Sequence, residues 1–219
     1  MRFQQQQAIQ LFPTFVWSHD LAPAEAGPFN DHLAAAIEAL ITPRPAILPG
    51  QTWQTHQDLH LRPEFKDLVD LIHQATRGVL DYLRLDVDGM EITGCWANVN
   101  PSGAPHSLHT HPNNLLSGVY YVRTGSGSDA IRFVDPRVQA RQLAPKVRER
   151  SQVNSMDAFV QAPAGRLVLF PAWLQHSVPA NASGQERISI AFNLMYSDFT
   201  RRYARPKWEG IKAPDAQEI

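Results

Sequence analysis

The sequence predicts an α+β, mainly β fold, with helices first, then a sandwich or jelly roll, and the N-terminal helices packed on one sheet. Three observations carry this. Two apolar stripes at helical spacing precede residue 89, the texture changes at Met90 to short β-branched and aromatic runs, and turn residues separate those runs. With 219 residues and 43% hydrophobic content the chain can bury a sizeable core. Its length suits one domain over 1–219, with 1–89 an edge strand and helical support and 90–200 the jelly-roll core.

The elements follow in order. After four glutamines, Ala8 to Trp17 is apolar and aromatic around Pro13, which reads as an edge strand broken at the proline. Phe29, Leu33, Ile37, Leu40 and Ile41 then mark an amphipathic helix from about Ala24, ending before Pro43. Pro63 opens a second helix, whose stripe is Phe65, Leu68, Leu71, Ile72, Ala75, Val79 and Leu83, broken near Asp86-Val87-Asp88-Gly89. Strands are expected over Met90 to Val99, Leu115 to Val122, Ile131 to Val134, Ala158 to Val160, Arg166 to Phe170 and Arg187 to Tyr196. The turns between them include Pro101-Ser102-Gly103, Gly125 to Ser128 and Asn181 to Gly184. Arg137 to Met156 is polar and weakly patterned, a long loop over one rim of the sandwich.

Composition narrows the function. Lys and Arg number 20 against 21 Asp and Glu, so no global field favours nucleic acid or anionic lipid, and the local runs Lys146 to Arg150 and Arg201-Arg202 read as solvated faces. One cysteine, Cys95, excludes an intrachain disulfide framework and a thiolate zinc cluster; set among Ile92, Trp96 and Val99, it reads as a buried small hydrophobe. No segment has the length of a transmembrane helix and the start lacks the apolar run of a signal peptide, so a soluble cytoplasmic protein is expected.

The chemistry concentrates in histidines. His106, His109 and His111 fall just before the strand-like run from Leu115. In an extended segment residues two apart face the same way, so His109 and His111 can present both imidazoles to one point, while His106 needs a turn to join them. Imidazole suits Fe(II), Zn, Cu or Ni, and a third donor must come from elsewhere. His176 is the candidate, following the buried run Leu167 to Phe170 and a proline turn. Further on, Arg187 and Ser189 alternate along an apolar strand and share a face. An arginine turned into a sandwich needs an anion, and its planar fork suits a carboxylate, with the serine hydroxyl adding a donor. A salt bridge, or an outward-facing arginine at the strand's start, is the other reading of Arg187. Asn98, Asn100 and Tyr121 are further donors on the strands flanking the cluster.

His109-x-His111, a distal His176 and Arg187-x-Ser189 resemble the 2-oxoglutarate and Fe(II)-dependent oxygenase superfamily. More narrowly, Trp96 to Asn100, His109 to Asn113, Leu116 to Tyr121, Phe133 to Arg137 and Phe170-Pro171 resemble a group of uncharacterised bacterial oxygenases of that kind, over roughly Trp96 to Tyr196. The resemblance implies a double-stranded β-helix, a cupin-like jelly roll. It implies His109 and His176 as iron ligands, Arg187 and Ser189 as holders of the distal carboxylate of 2-oxoglutarate, and O2 as oxidant. Asn98 and Tyr121 become candidates for contacting the cosubstrate. One position departs from the pattern: where the superfamily usually has Asp or Glu, this chain has His111. Either His111 is a third neutral ligand, or Asn113, Asn114 or a water completes the shell, or iron keeps two protein ligands.

The resulting expectation is a non-haem dioxygenase that hydroxylates a small-molecule or peptide substrate, binding neither nucleic acid nor membrane, with a homodimer one option for its assembly. Trp53, His56, Trp173 and Arg137 are candidates for the pocket mouth. Two rivals stay open: a cupin-like metal protein whose three-histidine site does not use 2-oxoglutarate, and a non-catalytic jelly roll with a structural metal. Arg187-x-Ser189 argues against the first.

Overall fold

The computed structural model describes residues 4–48, 50–87, 89–143, 145–151 and 153–202. Ten strands and three helices make up the described fold: β1 (Trp17–Asp20), α1 (Pro23–Ile41), β2 (Trp53–Gln54), α2 (Lys66–Leu83), β3 (Met90–Asn100), β4 (His106–His109), β5 (Leu116–Arg123), β6 (Ala130–Val134), β7 (Asp157–Gln161), β8 (Arg166–Pro171), β9 (His176–Val178), β10 (Arg187–Tyr196) and α3 (Ser197–Arg202). They form a six-stranded sheet in the order β1-β8-β5-β10-β3-β2 and a four-stranded sheet in the order β4-β9-β6-β7, with antiparallel pairing throughout.

The large sheet is buried on both faces, and this sorts its side chains by parity. Tyr120, Leu167, Leu169, Ile188, Ile190, Phe192 and Leu194 join one core with Leu33, Ile37 and Ile41 of α1 and Leu68, Ile72 and Val79 of α2. Tyr121, Val168 and Phe170, the alternate positions, meet Ile131 and Phe133 of the small sheet in a second core. Double burial explains why these strands read as near-continuous apolar runs, and why a polar residue on the second face points between the sheets. Gly118 sits where no side chain fits: a Cβ there would meet Phe192 Cζ at 2.4 Å and the Val168 carbonyl oxygen at 2.9 Å. Gly118→Ala is therefore expected to cost ~1–3 kcal/mol, measured as a drop in the unfolding midpoint.

Sequence expectation and structure differ at specific places. Ala8 to Val16 is not a strand; the edge strand starts at Trp17, because Phe12 has φ 53 and this stretch lies largely exposed. Pro63 opens a single 3-10 turn, Pro63–Phe65, and α2 proper begins at Lys66, ending where Arg84 adopts the left-handed conformation. The short strands β2, β4 and β9 carry no apolar alternation and were not expected. The rim segment after Val134 is loop in its described residues, apart from a 3-10 turn at Val138–Arg141. No helix among the described residues is long and apolar enough to cross a membrane.

Candidate active site

β4 and β9 bring the histidines together. His109 pairs in register with His176, and His111, just past the end of β4, is fixed when its backbone N–H donates to the Ala172 carbonyl at 2.9 Å. Ring centroids lie 4.8 Å apart for His109 and His111, 4.3 Å for His109 and His176, and 5.2 Å for His111 and His176. One ring nitrogen from each falls within 4.8 Å of the others. Small ring rotations would set all three on one ion. Two tautomers are dictated by the backbone. His109 Nδ1 lies 2.7 Å from the Ser107 carbonyl and His176 Nδ1 lies 2.9 Å from that of Leu174, so both must carry the proton there. Each ring then turns an unprotonated Nε2 inward, the arrangement a metal-binding imidazole requires. Among the described residues His111 has no such carbonyl; its ring leans on Trp96 at 6.0 Å.

The other end of the same cavity is set by β10. Arg187 pairs in register with Asn100, and Ser189 lies level with Asn98 on β3 and Tyr121 on β5. All five residues turn to the face between the sheets. Arg187 is 1% exposed. No carboxylate among the described residues pairs with it; Nη1 reaches only the Pro179 carbonyl at 3.4 Å, and Nη2 has no partner. The Tyr121 hydroxyl and the Asn100 Oδ1 are likewise buried and unpartnered. An unpaired guanidinium in the interior costs several kcal/mol by order of magnitude unless an anion enters beside it. The salt-bridge reading of Arg187 is excluded among the described residues, and so is an outward orientation. A buried, donor-rich end facing three imidazoles fits a bidentate oxygen ligand that reaches from a metal to a carboxylate anchor.

β3, β4, β5, β8, β9 and β10 thus supply the site, and residues 94–193, which contain them all but for the ends of β3 and β10, match the family described as "Putative 2OG-Fe(II) oxygenase". This β core is therefore similar to that of the 2OG-Fe(II) oxygenases. The family uses Fe(II), 2-oxoglutarate and O2. No curated protein sequence matches the chain. Similar solved structures include the non-haem α-ketoglutarate-dependent epimerase SnoN from nogalamycin biosynthesis, at TM-score 0.61 and 12% identity over 84% of this chain and 79% of that one. The prolyl-4-hydroxylase of Pseudomonas putida aligns at TM-score 0.55 and 17% identity, covering 84% and 93%. HygX from Streptomyces hygroscopicus, with nickel, 2-oxoglutarate and hygromycin B bound, aligns at TM-score 0.56 and 14% identity, covering 84% of each. At such identities these likenesses establish the jelly-roll fold.

Within this core, His109, His111, His176, Arg187, Ser189, Asn98 and Tyr121 all line one cavity. Trp53, His56, Trp173 and Arg137 do not. Trp173 is 54% exposed and Arg137 is clamped on Asp135, whereas Gln54 and Trp96 are among the residues that line the cavity. Asn114 holds the Pro112 carbonyl and accepts from Thr93, and neither it nor Asn113 lines the cavity. Two contributions were missed. Thr52 and Gln54, on and beside β2, hold the Asn100 and Asn98 side chains at 2.6 and 2.7 Å. His106 also lines the cavity, since a bulge in β4 sets three steps from His106 to His109 against two from Val178 to His176. That extra residue turns His106 to the cavity, but it does not bring its ring into the cluster of His109, His111 and His176.

Burial depresses these imidazoles. His176, His111 and His106 are each pushed down to about 4, by desolvation first; neighbouring histidines add to this for all three, and Arg187 for His106. The rings are neutral at pH 7, as metal binding requires. In the unfolded chain the same groups titrate near ~6.5. Between those values the unfolded state binds more protons, so stability falls as pH drops from about 6.5 toward 4. Thermal melts of the metal-free protein are expected to show that decline; a flat profile across the window contradicts the neutral cluster.

Proposed function

We propose that the chain is a non-haem Fe(II), 2-oxoglutarate-dependent dioxygenase that hydroxylates a small-molecule or peptide substrate, working in the cytoplasm as one domain of helical support and jelly-roll core. The observation that carries this is the unpartnered Arg187 Nη2, buried in the cavity that the three imidazoles also line. In this reading His109 and His176 hold the metal through the Nε2 atoms that their backbone carbonyls leave free, and His111 completes a facial set. Arg187 receives the distal carboxylate of the cosubstrate, with Ser189 and Tyr121 donating to the same oxygens. Asn98 accepts from Gln54 through Oδ1, which leaves its amide N–H groups for the ligand. Phe170, packed on His176 with ring centroids 4.6 Å apart, and Trp96 keep water from the metal side. When bound there, Fe(II) and 2-oxoglutarate supply oxygen activation by oxidative decarboxylation, releasing succinate and carbon dioxide and leaving one oxygen atom for the substrate. A three-histidine site working without the cosubstrate gives Arg187 no anion, so that rival is disfavoured.

Aerobic incubation with Fe(II) and 2-oxoglutarate is expected to yield succinate even without the true substrate, by uncoupled turnover. No succinate above the His109→Ala variant would overturn the reading. The departure at position 111 gives a separate test. His111→Asp lowers the site's charge by one unit and adds a hard oxygen donor, so it is expected to tighten Mn(II) binding by ~10-fold, the lower end of what one well-placed ligand group is worth. Titration followed by electron paramagnetic resonance measures this. Unchanged affinity would place His111 outside the metal shell.

A further inference from the structure

His106 belongs to none of the roles above, yet its ring lines the cavity beside Arg187. Its surroundings dictate its chemistry. The Asn100 amide Nδ2 donates to Thr52 Oγ1 at 2.6 Å and lies 3.1 Å from His106 Nε2. With the Asn100 amide in this orientation its N–H₂ donates and Nε2 accepts, which puts the single proton of the neutral ring on Nδ1. This is the opposite consequence of that found at His109 and His176, where a carbonyl holds Nδ1 and leaves Nε2 for a metal. His106 thus offers a donor where those two offer a lone pair. No described residue accepts from it.

Strand register supplies the position. His106 pairs with Val178, two residues along β9 from the His176 that pairs with His109. Two residues of strand span ~7 Å, which a five-carbon dicarboxylate bridges from the metal side. The next residue, Pro179, accepts from Arg187 Nη1, and Arg187 lies in register with the Asn100 that tethers His106. The histidine, the arginine and the asparagine therefore share one end of the cavity.

We propose that His106 is a positioning residue for the cosubstrate, donating from Nδ1 to the same distal carboxylate that Arg187 receives, with the Thr52–Asn100 pair fixing its tautomer. The inference rests on the 2-oxoglutarate reading given above. It divides two histidines of one short strand by the partner of one ring nitrogen: His109, held at Nδ1 by a carbonyl, serves the metal, and His106, held at Nε2 by an amide, serves the anion. The register bulge in β4 is what lets both ends be supplied from four consecutive residues of strand.

The experiment is an anaerobic titration of the Fe(II)-loaded protein with 2-oxoglutarate and with 2-oxopentanoate, which keeps the chelating keto acid and lacks the distal carboxylate. Binding is followed by tryptophan fluorescence and calorimetry. His106→Ala is expected to weaken 2-oxoglutarate by ~10-fold or more, as for loss of a hydrogen bond to a charged group, and to leave 2-oxopentanoate and Fe(II) affinity unchanged. His106→Gln, which keeps a donor, is expected to recover part of the loss, and Thr52→Val to lose a smaller factor than His106→Ala. Equal weakening of both keto acids would overturn the proposal, as would a fall in Fe(II) affinity, which would make His106 a ligand. Unchanged 2-oxoglutarate binding in His106→Ala and His106→Gln would overturn it while leaving the oxygenase reading intact. Absence of 2-oxoglutarate binding by the unaltered protein would remove that reading itself.

Discussion

Arg187→Met is expected to weaken cosubstrate binding by at least ~30-fold and, in the same protein, to raise the melting temperature of the ligand-free state. The two effects have one cause. Arg187 is 1% exposed, has no ion pair among the described residues, and leaves Nη2 without a hydrogen bond. Burial already lowers its proton affinity, which is the same penalty seen from the charged form. Methionine has similar length and no charge, so it fills the space between the sheets and removes the penalty, a change worth ~1–4 kcal/mol where buried charges have been replaced by apolar groups of like volume. The carboxylate that Arg187 would receive loses its partner, and truncating one side of a buried charge pair costs at least ~2 kcal/mol, or ~30-fold in affinity. Thermal denaturation with and without 2-oxoglutarate measures both. A variant that melts lower in the ligand-free state would show that Arg187 is held by contacts other than a ligand's.

His176→Ala is expected to weaken metal binding by ~100-fold or more, since disturbing even the partners of a ligand imidazole costs about 10–100-fold. Of the three imidazoles His176 is the most deeply set, 3% exposed, with Phe170 and Phe133 against its ring and Nδ1 committed to the Leu174 carbonyl. It has no room to be replaced by a neighbour. His111→Ala is expected to cost less, because its second nitrogen lacks a backbone partner and its ring is partly exposed. Calorimetric titration with Ni(II) under identical conditions ranks the two. The reverse order would mean that the site centres on His111.

The long elements were legible in the sequence because double burial gives β5, β8 and β10 unbroken apolar runs, and α2 a strong stripe. Parity along β10 was enough to put Arg187 and Ser189 on one face, and spacing two apart was enough to pair His109 with His111. Spacing could not reveal the tautomers, which depend on carbonyls of Ser107 and Leu174 whose direction only the folded chain sets. Nor could it reveal β4 and β9, three or four residues long and built around histidine, whose pairing is stabilised by the sheet. His106 was set aside on strand parity, and a one-residue bulge reverses parity without any glycine or proline to announce it. β2 was hidden for a related reason: it is two residues, yet with Thr52 it holds both asparagines of β3.

The most direct test is the visible charge-transfer absorption that develops when 2-oxoglutarate chelates Fe(II) in the absence of oxygen. The three imidazoles and Arg187 together predict that the band appears on adding 2-oxoglutarate to the Fe(II)-loaded protein and is absent from His176→Ala. In Arg187→Met it should appear only at concentrations at least ~30-fold higher. No band from the unaltered protein, or a band that Arg187→Met leaves at the same half-saturation, would contradict the assignment of this cavity to 2-oxoglutarate.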